Sequence, residues 1–201
     1  MSLETTLARI DELRQLLAPP RAVPQATATP SASFGQILSG ATAQAAAAVA
    51  GPIAGGGTGS AMVAIARNEL GQAESPPGSN DSPRIAEYRS AVPGGPVGPW
   101  CAYFVSWVAR QAGAPLGESG QGFASVSQIW AWAQRAGRAM PNGPNVTPRP
   151  GDLIVWGDRH VGIVEAVLPD GRIQTIEGNS SDRVARRVHP PGSATGYVRM
   201  G

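Results

Sequence analysis

The chain has 201 residues and a formal net charge of +2, a size that fits one domain with an extension. Its basic residues form no long cluster, so the charge argues against a nucleic-acid-binding function. The single cysteine excludes an internal disulfide.

The N-terminal part of the chain is predicted to form a short helix and a linker. Apolar residues recur at helical spacing through Leu3, Leu7 and Ile10, which predicts an amphipathic helix over residues 1–17. So short a helix is marginal alone in water, and we therefore expect it to dock on a protein partner. Residues 18–59 are rich in Ala, Pro and Gly and predict a flexible linker.

Neither a signal peptide nor a membrane span is expected from the sequence. Residues 3–17 carry charges throughout, unlike the apolar core of a secretory signal. The low-charge run over residues 41–66 consists mostly of Ala, Gly and small polar residues. It lacks the density of Leu and Ile that a membrane helix needs.

Residues 60–201 are predicted to form an α+β domain, with helices first and an antiparallel sheet second. Ser60 and Gly71 would cap the two ends of the first helix, and Ser82 followed by Pro83 would start the second. The predicted helices cover residues 61–70, 82–89, 100–112 and 125–135. The predicted strands cover residues 152–156, 160–168, 172–176, 184–188 and 197–200.

Cys101 is a candidate nucleophile because it lies in the first turn of a predicted helix. Free backbone N–H groups and the helix dipole favour an anion there, and hence a thiolate. The alternative is a core role, since Cys101 also belongs to the apolar stripe that continues through Phe104 and Val108.

His160 is the candidate base, because it opens a strand directly after the turn at residues 157–159. A cysteine at a helix start and a histidine on a later strand form the usual activated-thiol arrangement. The other histidine, His189, lies beside Pro190 near the end of the chain, and we expect it at the surface.

A third group should orient the base, and the predicted hairpin around Asp170 and Gly171 suggests where it lies. If Pro169 faces Arg172, His160 faces Ser181, Gly162 faces Asn179 and Val164 faces Glu177. This register makes Asn179 a diagonal neighbour of His160 and leaves Glu177 further away. An odd-length turn or a bulge would change the register.

Four segments resemble the CHAP family, the cysteine, histidine-dependent amidohydrolases/peptidases. They are PWCAYFVSW at residues 99–107, RPGDLIVW at 149–156, HVGIV at 160–164 and TIEGN at 175–179, in the family's order. The resemblance covers roughly residues 60–201 and implies a papain-like fold with helices packed on an antiparallel sheet.

By position in these motifs, Cys101 matches the family's nucleophile and His160 its general base. Glu177 matches the usual third residue, and Asn179 matches a frequent fourth. The resemblance thus favours Glu177 as the residue that orients His160, whereas the ladder geometry favours Asn179.

The aromatic residues Trp100, Tyr103 and Trp156 are candidate walls of a substrate groove, with a core role as the alternative for each. Some family members bind calcium through an acidic loop before the cysteine. Residues 79–82 offer only Asp81, so we predict no metal site and no cofactor.

The resemblance implies hydrolysis of an amide bond in bacterial peptidoglycan, either between the lactyl group and alanine or within the peptides. Two alternatives are a non-catalytic wall-binding module on the same fold and a glycan-cleaving enzyme that uses the carboxylates Glu165 and Glu177. Action at the cell wall without a predicted signal peptide implies export by a phage, a flagellar-type or another non-classical route.

Overall fold

The structure is a computed structural model that describes residues 57–201. The helix predicted over residues 1–17 and most of the linker predicted over residues 18–59 lie outside this range. Four helices come first, namely α1 (Thr58–Asn68), α2 (Pro83–Arg89), α3 (Cys101–Gln111) and α4 (Val126–Arg135). Six strands follow, namely β1 (Ala139–Pro141), β2 (Leu153–Trp156), β3 (His160–Val167), β4 (Ile173–Glu177), β5 (Ala185–His189) and β6 (Gly196–Val198).

The strands form one antiparallel sheet in the order β1-β6-β2-β3-β4-β5. This confirms the α+β class. Strand β1 was not predicted, because three residues ending in Pro141 carry no strand pattern. A proline is tolerated there because β1 is an edge strand and one of its sides needs no ladder hydrogen bond.

The start predicted for α2 at Ser82 and Pro83 is confirmed, and a second serine, Ser125, caps α4. The Ser82 hydroxyl accepts a hydrogen bond from Ile85 N at 3.2 Å, and the Ser125 hydroxyl accepts one from Gln128 N at 3.3 Å. The prediction that Ser60 caps α1 is wrong, because the cap residue is Gly57 and no side chain caps it. Helix α1 therefore begins inside the range predicted as linker.

The main core lies between the helices and one face of the sheet. Helix α3 is central to it and buries eight of its residues, including Cys101 and Phe104. Residues of alternate parity on the strands face the other side, where Ile154, Val164 and Tyr197 form a smaller apolar cluster. Both faces of the central strands are therefore covered.

The hairpin between β3 and β4 has an odd-length turn and a bulge, and both change its register. Leu168 N donates to Arg172 O at 2.8 Å, which leaves a three-residue turn that ends at Gly171 with φ +82°. The ladder then shifts once more between Val164 and Ala166. As a result Val164 pairs with Thr175, and the predicted pairing of Val164 with Glu177 is wrong.

The bulge carries Glu165, whose buried carboxylate joins three other elements. It accepts hydrogen bonds from Arg67 on α1, from Gln174 on β4 and from Arg186 on β5, at 2.5 to 2.9 Å. Burial raises the pKa of Glu165, but the hydrogen bonds from Arg186 and Arg67 outweigh it and lower the pKa to about 2. Glu165 is thus an ionised structural group.

Gly178 directly follows β4 and lies against α3. A Cβ atom added there would be 2.6 Å from Cβ of Phe104 and 2.9 Å from Cζ3 of Trp100. The absence of a side chain therefore allows the end of β4 to approach the start of α3, where Cys101 lies.

We expect the substitution Gly178→Ala to lower the free energy of unfolding by about 1–3 kcal/mol, because the added methyl group overpacks the contact with α3. Urea denaturation followed by circular dichroism measures this change. Gly143→Ala is the matched control, since a Cβ atom there meets nothing within 4 Å, and its effect should stay within about 0.5 kcal/mol. Equal midpoints for the two variants would contradict the proposed contact.

Candidate active site

Cys101 is the first residue of α3 and is 5% exposed. The first hydrogen bond at this end of the helix runs from Phe104 N to Trp100 O at 2.9 Å. The backbone N–H groups of Cys101 and of the two residues after it therefore precede the helical ladder. They point toward the N-terminal end of α3, where they and the helix dipole favour a negative charge.

His160 opens β3 and lies beside Cys101. The tight turn after β2 aligns His160 opposite Trp156, and the Cys101 thiol interacts with the His160 ring and raises its pKa. On its other side, His160 Nε2 donates to Glu177 Oε2 at 2.9 Å. Because Glu177 occupies Nε2, the ring nitrogen that remains for the thiol is Nδ1.

Glu177 reaches His160 because of the shifted hairpin register. With Ile163 paired to Ile176, Gly162 comes beside Glu177, and a Cβ atom at Gly162 would be 2.7 Å from Glu177 Cγ. The carboxylate occupies the space that this missing side chain leaves. The structure thus places Glu177 in direct contact with His160, the residue whose pKa Cys101 also raises.

The Glu177 carboxylate has two further donors. It is 2% exposed, and its Oε1 atom accepts a hydrogen bond from the Thr175 hydroxyl at 2.6 Å and another from His189 Nε2 at 2.6 Å. The expectation that His189 is a surface residue is wrong. It is half-buried and in contact with Glu177, because β5 pairs with β4 and carries the ring to the same side of the sheet.

The charges in this cluster stabilise one another. Burial lowers the pKa of His160, but its interactions with Cys101 and Glu177 outweigh burial and raise the pKa to about 9. Burial raises the pKa of Glu177, but hydrogen bonds from His160, Thr175 and His189 lower it to about 2. At neutral pH, Glu177 is therefore ionised and His160 is protonated.

Asn179 contacts Asn80 and not His160, the residue that the predicted strand register placed beside it. Its Nδ2 donates to Asn80 Oδ1 at 3.4 Å, and none of the hydrogen bonds among residues 57–201 joins it to His160. Its φ of 54° shows that the chain has left the strand by this point. The prediction from ladder geometry fails because the odd-length turn and the bulge move Glu177 to the diagonal position.

The loop before α2 holds the start of α3. The buried carboxylate of Glu74 accepts hydrogen bonds from Trp100 Nε1 at 2.9 Å and from Asn80 N at 2.8 Å. None of the sequence patterns above predicted that Thr175 or His189 contacts the site. For Thr175 a signal existed, because residues two apart on a strand share a face with Glu177.

Two of the three candidate groove residues belong to the core. Trp100 is fully buried, and Tyr103 is 2% exposed with its hydroxyl donating to Pro96 O at 3.1 Å. Neither ring is presented to a substrate, so the alternative of a core role holds for both. Trp156 is half-buried, and its ring centroid is 5.6 Å from that of His160 and 4.5 Å from that of His189.

The largest described cavity lies away from this cluster, at the far end of the sheet. A cavity of about 520 Å³ is lined by residues at the other end of the β3–β4 hairpin, such as Val167 and Gly171, and by none of the residues above. Within residues 57–201, no three His, Cys, Asp or Glu side chains are grouped to hold a metal ion. No helix of this part of the chain is long and apolar enough to cross a membrane.

Residues 93–179 match the family model of the CHAP domain. The match includes Cys101, His160, Glu177 and Asn179, and it ends before β5. Comparison with curated proteins and with solved structures finds no match.

We expect the substitution Glu177→Gln to lower the pKa of His160 from about 9 toward 6.5, because a neutral amide does not stabilise the imidazolium. NMR titration of the histidine ring protons measures this.

The raised pKa of His160 also stabilises the fold. This stabilisation is fully present below about pH 6.5 and is lost as the pH rises through about 9. The loss of unfolding free energy over this window should be smaller in Glu177→Gln.

Asp158→Asn is the control for this prediction, since Asp158 lies in the turn before His160 and is not among the side chains that raise its pKa. An unchanged His160 pKa in Glu177→Gln would show that the carboxylate does not interact with the base.

Proposed function

We propose that this protein, whose residues 93–179 match the family model of the CHAP domain, is a peptidoglycan hydrolase that cleaves an amide bond with Cys101 as nucleophile. The observation that carries the proposal is the position of His160, which donates a hydrogen bond to Glu177 and interacts with Cys101. A base held between a nucleophile and a fixed carboxylate is the arrangement that acyl transfer requires.

In the first half of the proposed reaction, His160 carries the proton of the Cys101 thiol, and the thiolate that remains attacks the carbonyl carbon of the amide and forms a C–S bond. His160, protonated at neutral pH, gives its proton to the leaving nitrogen as the C–N bond breaks. The products of this half are an amine and a thioester on Cys101.

In the second half, His160 is neutral and takes a proton from water, which attacks the thioester carbonyl. The C–S bond breaks, the acid is released and the thiolate is restored beside a protonated His160. The backbone N–H of Cys101 at the start of α3 is proposed to stabilise the oxyanion that forms in each half.

The remaining residues of the site have supporting roles in this proposal. Glu177 holds the His160 ring and stabilises its positive charge. Trp156 lies over the two histidines and is proposed as a wall of the substrate site. Asn179 is proposed as a site residue from its position in the family motif alone.

The match with the CHAP domain supports the substrate class of this proposal. We propose bacterial peptidoglycan as the substrate and the cell wall as the place of action. The cut would lie at the lactyl–alanine amide or within the stem and cross-bridge peptides. A phage, a flagellar-type or another non-classical route is proposed for export, and residues 1–17 are proposed to dock on a protein partner.

The substitutions Cys101→Ala and Cys101→Ser should reduce the release of new amines from purified peptidoglycan by at least about a thousandfold, because alanine cannot form the acyl intermediate and a serine hydroxyl is a much weaker nucleophile than a thiolate. His160→Ala should have a similar effect. The control is Val167→Ala at the opposite end of β3, which should retain the wild-type rate. Circular dichroism verifies that each variant is folded.

Three results would contradict the proposal in different ways. Wild-type amine release from the Cys101 variants would reject the nucleophile. New reducing sugars in place of new amines would indicate a glycan-cleaving enzyme that uses carboxylates. A Cys101 thiol that does not react with iodoacetamide at neutral pH, in a protein that still binds the wall, would indicate a non-catalytic binding module.

Mass spectrometry of the digested wall distinguishes the two amide positions. An amidase leaves stem peptides with a free N-terminal alanine and glycans without peptide. An endopeptidase leaves shortened stems or opened cross-bridges that are still attached to glycan.

A further inference from the structure

We propose that His189 is a positioning residue that holds the Glu177 carboxylate in place for His160, a role that rests on the proposed function of Cys101 and His160. His189 lies outside the residues that match the family model, which end at residue 179. The four motifs that resemble the family therefore do not include it.

The two oxygens of Glu177 have separate partners. Oε2 accepts the hydrogen bond from His160, whereas Oε1 accepts those from His189 and Thr175. A carboxylate that is held at one oxygen cannot rotate freely about its terminal bond, so the direction of the other oxygen is also fixed. His189 and Thr175 thereby determine where Oε2 lies relative to the His160 ring.

Charge and tautomer follow from the same contacts. An ionised carboxylate only accepts hydrogen bonds, so Nε2 of His189, which contacts Glu177, must carry a proton. His189 is therefore a donor to Glu177 in its neutral and in its charged form. The contact supports Glu177 without taking a proton that the His160 reaction needs.

His189 also shields the carboxylate from water at the edge of the sheet. Strand β5 is the edge strand next to β4, and the His189 side chain is 25% exposed beside a Glu177 side chain that is 3% exposed. Trp156 packs against both imidazole rings. Without the His189 ring, water would reach Glu177 and weaken its interaction with His160, because charges interact less strongly at a higher dielectric constant.

The test compares His189→Ala, which removes both the donor and the shield, with His189→Gln, which keeps an N–H donor. Val188→Ala is the matched control, because Val188 is the neighbouring residue of β5 and is exposed. The chain has two histidines, so the histidine that remains in the His189 variants is His160, and its ring protons need no further assignment.

We expect the pKa of His160 to fall in His189→Ala. Alkylation of Cys101 by iodoacetamide should slow about tenfold, the size of effect typical of residues that orient a functional side chain from behind. On peptidoglycan fragments, kcat should fall by a similar factor with KM unchanged. His189→Gln should recover most of the alkylation rate, and Val188→Ala should match the wild type. If His189→Ala does not fold, His189→Leu, which retains bulk without a donor, takes its place in the comparison with His189→Gln.

Two outcomes would overturn the inference. In the first, the His160 pKa and the alkylation rate are the same in His189→Ala as in Val188→Ala. In the second, only KM rises, which would make His189 a contact for substrate. If the wild-type protein leaves the wall uncut and its thiol is inert, the proposed function fails. The His160 pKa still decides the role of His189 in that case, because it is measured without substrate.

Discussion

The buried carboxylate of Glu177 is the constraint on which the candidate site depends. Removing an ionised carboxylate from water costs several kcal/mol unless donors replace the lost hydration. Here His160, Thr175 and His189 supply those donors from three adjacent strands. The three strands must therefore pair in one register, since a slip would leave the charge buried without partners.

That register results from two local departures from a regular hairpin. A one-residue slip turns every side chain of a strand to the opposite face. The three-residue turn that ends at Gly171 and the bulge at Glu165 each contribute one such slip. Together they restore the original face but move the pairing by two residues, so that Glu177 takes the place that a regular hairpin would give to Asn179. The ion pairs of Glu165 with Arg67 and Arg186 stabilise the bulge.

The sequence predicted the parts of the molecule that local chemistry determines. A serine followed by a proline at the first helical position located the start of α2, and a histidine after a tight turn located the start of β3. It did not predict the hairpin register, because the bulge depends on contacts of Glu165 with α1 and β5. His189 was misjudged for a similar reason. Its place beside Pro190 near the end of the chain suggested a surface position. Its burial instead depends on the pairing of β5 with β4.

The nucleophile and the base come from separate halves of the fold, and two contacts set the distance between them. Gly178 lets the end of β4 pack against Phe104 and Trp100 of the α3 region. Asn179 then meets Asn80, whose loop is held to Trp100 through Glu74. The residues on both sides of Cys101 and the residues after Glu177 thus form one closed ring of packing and hydrogen bonds. Trp100 is part of this ring and is fully buried. It therefore helps to fix the position of the neighbouring Cys101 without contacting a substrate.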